Sequence, residues 1–238
     1  MGHPCRVIRT SRRALLAAAG AVALSGCGGA PPLSPRTGID GLTIPWGSPQ
    51  GDRFAAYVDH PLLALDPDRP AEYDVAGVLA VRATRTAEPA ETVAGLPVTP
   101  VRQDVWDERD RRLATWRDLL AQDRDGNVWW VGHEGGSGDT EPSWTFGEEG
   151  LGLLLAASVR LGDGYRAALV GDVVDLRGTV VGDRSSVDVP AGDFDDAVRL
   201  ELRTGTGALA TLSSYAPGAG LVELSGGAWG TWRLRAPD

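Results

Sequence analysis

The sequence predicts a mainly β fold, with antiparallel strands forming a curved sheet, a partly open barrel or a sandwich, and room for one short helix. Three observations carry this. Short apolar alternations recur beyond residue 42, Gly, Pro and Asp separate them, and long helical periods do not intervene as an α/β layout would require. The 32 Gly and 16 Pro supply many turns. Hydrophobic residues at 42% and charged residues at 23% of 238 sit near globular averages, which excludes a fibre, a wholly disordered chain and a peptide-sized disulfide scaffold.

The chain opens differently. Arg6, Arg9, Arg12 and Arg13 form a positive region, Ala14–Leu24 is an uninterrupted small and apolar run, and Leu24-Ser25-Gly26-Cys27 follows. An apolar run of this length is too short for a membrane-spanning helix, which needs about 20 residues. Residues 1–26 therefore read as a signal peptide. Leu24-Ser25-Gly26-Cys27 resembles the lipobox of bacterial lipoproteins, which implies a thioether-linked diacylglycerol on Cys27, cleavage before it, and acylation of the palmitate type. Two acyl chains give stable anchoring where one gives only marginal binding. The expected location is the outer face of the cytoplasmic membrane. Ser11-Arg12-Arg13-Ala14-Leu15-Leu16 also resembles a twin-arginine export signal, and the choice between that route and the general one stays open.

Residues 27–41, rich in Gly and Pro, read as a flexible tether, and residues 42–238 as a single β-rich extracytoplasmic domain. Loss of the first 26 residues removes four arginines and no acid, leaving 19 basic against 32 acidic residues, a net charge of −13. Such a field repels phosphate backbones, so nucleic acid is excluded as a partner. All the basic residues are Arg. Cys5 is discarded and Cys27 acylated, so the domain is expected to stand on packing alone.

The strands are read in order. Tyr73–Thr86 alternates Val75, Gly77, Leu79 and Val81 against Asp74, Arg82 and Thr84; Asn127–Gly132 is a second strand. Tyr165–Leu176, Ser186–Pro190, Ala197–Arg203, Ala208–Tyr215, Gly220–Leu224 and Ala228–Leu234 follow. Residues 104–122 are contested. Val105, Arg109, Leu113, Trp116 and Leu120 fall near helical spacing with no Gly or Pro, whereas Glu108-Arg109-Asp110 would serve as a hairpin turn. Helix and strand stay open there, with strand favoured over Trp116–Gln122.

The sharpest local pattern is Asp123-Arg124-Asp125-Gly126-Asn127 with Glu134 downstream. Its oxygen spacing is that of a calcium loop, but Val128 stands where such a loop needs Gly, and Val128-Trp129-Trp130-Val131 reads as strand. A hairpin turn, with Gly126 and Asn127 at positive φ, is the favoured reading. His60 and His133 carry no zinc motif, and His133-Glu134 reads as a polar strand end. Ser137, among glycines, has nothing to hold it as a nucleophile. No catalytic residue, metal or cofactor is assigned. The acids Glu148-Glu149, Asp172, Asp175, Asp195 and Asp196 are read as solvated faces and turns, although paired carboxylates across a cleft would suit a glycan hydrolase. Of the eight Trp, adjacent Trp129 and Trp130 must point to opposite faces of a strand. Core packing accounts for most of the rings, with a groove for sugar or lipid as the alternative.

Ala121–Gly132 resembles the "AQD..GNVWY.GE" segment of a family of secreted bacterial proteins and lipoproteins without assigned function. Ser143-Trp144 to Arg166, Val189-Pro190-Ala191-Gly192-Asp193-Phe194-Asp195-Asp196 and Tyr215-Ala216-Pro217-Gly218-Ala219-Gly220-Leu221-Val222 agree with it in the same order. Leu119-Leu120, where the family has aromatic residues, and His133 depart from its pattern. The resemblance implies an antiparallel β domain, supplies no catalytic residues, and favours strands over residues 104–122. Curved sheets of this sort, similar to lipoprotein-carrier folds, cradle an apolar ligand. The expectation is a lipid-anchored, non-enzymatic protein that binds an apolar ligand or an envelope partner. An envelope-glycan hydrolase and a purely structural interaction module are its rivals.

Overall fold

The computed structural model describes residues 51–135, 143–147 and 150–237. The signal segment, the Cys27 tether, Trp46, Ser137 and Glu148-Glu149 lie outside the described residues. After a 3-10 turn at Gly51–Arg53 come β1 (Ala71–Ala76), β2 (Arg82–Ala87), β3 (Glu91–Val93), β4 (Leu96–Trp106), β5 (Arg112–Gln122), β6 (Val128–Gly135) and β7 (Trp144–Thr145). There follow β8 (Gly152–Leu155), β9 (Gly164–Val170), β10 (Val174–Val189), β11 (Gly192–Thr204), β12 (Leu209–Ala216), β13 (Gly220–Ser225) and β14 (Thr231–Leu234).

The pairing order β7-β6-β5-β4-β2-β1-β14-β13-β12-β11-β10-β9 is antiparallel throughout, with β3 added beside β4 and β8 beside β6. The twelve-strand path nearly closes into a barrel and leaves one unsealed seam. The last strand is joined to the first by β14 on β1, where Val75 stands opposite Trp232. At the seam β9 approaches β8 without a ladder. A Cβ on Gly152 would lie 2.0 Å from the Ala167 carbonyl oxygen, and the Tyr165 hydroxyl donates to the Leu154 carbonyl at 2.8 Å.

The contested residues 104–122 are two strands and a turn, so the helix reading is overturned. The Asp107 carboxylate accepts from the backbone N–H of Arg109 (2.9 Å) and Arg111 (3.0 Å), and Asp110 adopts φ +55°. The helical spacing is outweighed because β4 and β5 are each flanked by two partner strands, which satisfy their backbone groups. Tyr73–Thr86 is likewise two strands rather than one. Gly77 passes so close to the Trp229 carbonyl that a Cβ there would lie 2.3 Å from its oxygen, and the chain reverses with Val78 and Leu79 exposed. Tyr165–Leu176 is broken at Gly171, and Ser186–Pro190 is the far end of the long β10.

One end of the barrel is stoppered by the segment before β1. Phe54, Val58, Leu62 and Leu63 are buried in the main core. The segment is fastened to β4 by Val58 N–H on Thr99 Oγ1 (3.0 Å) and to β5 by Asp59 N–H on Gln122 Oε1 (3.0 Å). It reaches the β12–β13 turn through Gly218 N–H on the Pro61 carbonyl (2.9 Å).

Candidate functional site

Above that stopper the barrel encloses a cavity of about 890 Å³, within the range of small-molecule sites. It opens at the opposite end, where residues of three turns, nearly all exposed, line its mouth: Gly171–Val173 after β9, Gly205-Thr206 after β11 and Gly226–Ala228 after β13. An up-and-down meander puts these turns at one end by construction, so ligand access follows from topology.

Five of the eight tryptophans line this cavity: Trp116, Trp130, Trp144, Trp229 and Trp232. Trp116 and Trp232 lie 5.9 Å apart between ring centroids, Trp130 and Trp144 5.3 Å, both tilted as aromatic pairs prefer. Core packing holds for Trp232, which is buried in the main core, and for Trp116, Trp130 and Trp229, which pack against it; the same rings, with Trp144, also present a wall to the cavity. Trp129 is buried in the core as expected of one member of the adjacent pair, and Trp106 lies outside under the Arg82 guanidinium, 4.2 Å from its ring. Leu120, Leu154, Leu202, Leu221 and Leu224 are among the other apolar residues of the lining.

A polar pole interrupts it. Asp118 on β5 stands directly opposite His133 on β6, with Oδ1 2.9 Å from His133 Nδ1, and its Oδ2 accepts from Gln103 Nε2 at 2.5 Å. His133 is thus a buried cavity residue, not a polar strand end; only its neighbour Glu134 turns outward, to Arg117 at 2.8 Å. A β-bulge makes this possible. Leu120 pairs with Trp130 while Leu119 pairs with Gly132, so one extra residue on β6 brings both Trp130 and His133 to the cavity, which strict alternation would forbid.

Arg85 lines the same cavity and is only 8% exposed. It shares a face of β2 with buried Ala83 and Ala87. Its companions are Tyr73 and Tyr215. Burial pushes both phenols above their usual range, and the nearby guanidinium pulls the other way without cancelling it. The Tyr73 hydroxyl donates to the Leu221 carbonyl at 3.0 Å. Sequence reading missed Arg85, Gln103, Asp118 and Tyr215. Arg85 did carry a signal, an arginine alternating with alanines in a β-like stretch.

Of the acids singled out in the sequence, Asp172 and Asp175 reach the cavity mouth, while Asp195 and Asp196 sit on β11 away from it. His60 belongs to the stopper, with Nε2 donating to the Ala156 carbonyl (3.3 Å) and Nδ1 accepting from Leu62 N–H (3.2 Å). The acidic pattern at Asp123 is a hairpin turn. Gly126 has φ +94°, but Asn127 does not take the expected positive φ; its side chain braces the turn against Asp123 and Ala157. Among the described residues no group of three or more His, Cys, Asp or Glu is arranged to hold a metal ion. Comparison with protein-family models, curated proteins and solved structures finds no match for this chain.

Proposed function

We propose that this protein is a lipid-anchored carrier, held on the outer face of the cytoplasmic membrane through acylated Cys27, that takes an apolar ligand into the barrel. The observation that carries the reading is the cavity: about 890 Å³, stoppered at one end, open at the other, and walled by tryptophan and leucine. A structural module would gain nothing from leaving that interior unfilled, since unfilled space forfeits packing contacts. A glycan hydrolase would need two available carboxylates facing each other across the cleft; inside the cavity both Asp118 oxygens are already engaged by His133 and Gln103, and the other lining acids, Asp172 and Asp175, lie together at the mouth.

Native mass spectrometry of the full-length protein purified from its host tests this. The wild type is expected to carry a co-purifying lipid-like mass. Leu202→Trp, which fills the cavity from a buried wall position, is expected to be folded and empty. Repeated recovery of empty wild-type protein overturns the reading.

A further inference from the structure

We propose that the ligand is a single amphiphile with an anionic head group, and that Arg85 is the residue that binds that head. The inference rests on the apolar-ligand reading above and adds the polarity and charge of one end of the ligand.

Arg85 is more than nine-tenths buried, faces the cavity, and its Nε has no hydrogen-bond partner. Among the described residues no carboxylate lies within ion-pairing distance of it. The acid on the cavity wall, Asp118, is committed to Gln103 and His133. Tyr73 and Tyr215 cannot supply the missing charge, since burial keeps them protonated at neutral pH. An arginine cannot escape by losing its proton, and an uncompensated buried charge is costly. A ligand that brings its own anion removes that cost.

The chemistry of the head follows from the guanidinium, a planar fork of donors that matches a carboxylate or a phosphate. The chemistry of the tail follows from the tryptophan and leucine wall, and the volume suits one small amphiphile. Arg85 therefore selects for charge while the wall supplies affinity without regard to it.

The test is titration of the full-length chain with palmitate, hexadecyl phosphate and 1-hexadecanol, three probes with the same tail, read by the fluorescence of the cavity tryptophans. In the wild type at least one anion is expected to bind about tenfold or more tighter than the alcohol. Arg85→Gln should bring that anion down to the affinity of the alcohol and leave the alcohol unchanged. Preference for palmitate identifies a fatty acid as the source of the charge, and preference for hexadecyl phosphate a phosphorylated lipid. Equal affinity for all three overturns the anion inference and leaves the apolar-ligand reading standing. Binding of none overturns both. The wild-type comparison decides even if the glutamine variant fails to fold, and retention of the preference by a folded Arg85→Gln removes Arg85 from the role.

Discussion

The indole Nε1–H of Trp129 donates to Asp123 Oδ2 at 2.8 Å, tying a core ring to the hairpin turn that precedes it. The same carboxylate accepts from the Asn127 side chain (2.9 Å), Asn127 N–H (2.9 Å) and Asp125 N–H (3.0 Å). Four donors leave it little capacity for a cation. Asp123→Ala is expected to cost about 3 kcal/mol in chemical denaturation, because a charge-assisted set is lost and a buried indole donor is orphaned. Millimolar calcium should leave the melting temperature of the wild type unchanged. A large upward shift would return the turn to the calcium reading.

Barrel closure depends on backbone contact at the seam. Gly152→Ala would drive a Cβ into the Ala167 carbonyl, which belongs to a strand and cannot yield as a flexible side chain would. A loss of about 3 kcal/mol is expected. Tyr165→Phe, which removes only the hydroxyl bond to Leu154, should cost about 1 kcal/mol. Equal losses for the two variants would mean that the phenol rather than the close approach holds the seam.

The stopper is sensitive to acid through His60. Burial lowers its pKa below the ordinary 6.5, the carbonyl of Ala156 and the charge of Asp59 offsetting that only in part. The unfolded chain therefore binds this proton more readily. The stabilising contribution of neutral His60 is complete above the unfolded value and is lost as pH falls through it towards the lower folded value. Thermal melts between pH 7.5 and 5 should show a steeper fall for wild type than for His60→Gln. Parallel profiles would contradict this.

Cys27→Ala should move the protein from the membrane fraction to the soluble fraction of fractionated host cells. Unchanged membrane association, or an unmodified thiol in intact-mass data, would defeat the anchoring proposal.

Much of the architecture was legible in particular residues. Val198, Leu200 and Leu202 on β11 are buried at every second position, and Gly126 marks the hairpin before β6 as the turn chemistry required. Residues 104–122 were ambiguous because Trp116 and Leu120 are four apart, a spacing that puts side chains on one side of a helix and also of a strand. The turn at Gly77 was invisible because Val75, Gly77, Leu79 and Val81 keep alternating through it. Asp118 and Gln103 gave no local signal, since each is an ordinary polar residue in an amphipathic strand.

Period-two alternation, turn residues and the Arg-rich, apolar, Cys27-terminated leader were enough to specify a β domain and to suggest export and acylation, because each depends on neighbours in the chain. Closure of the sheet and the bulge that turns His133 inward beside Trp130 were decided by tertiary structure. So was the meeting of Arg85, on the cavity wall, with Tyr215 beside it and buried Tyr73 behind. Those outcomes depend on strand register across the whole barrel, where one residue more or less reverses which side of the sheet a side chain occupies.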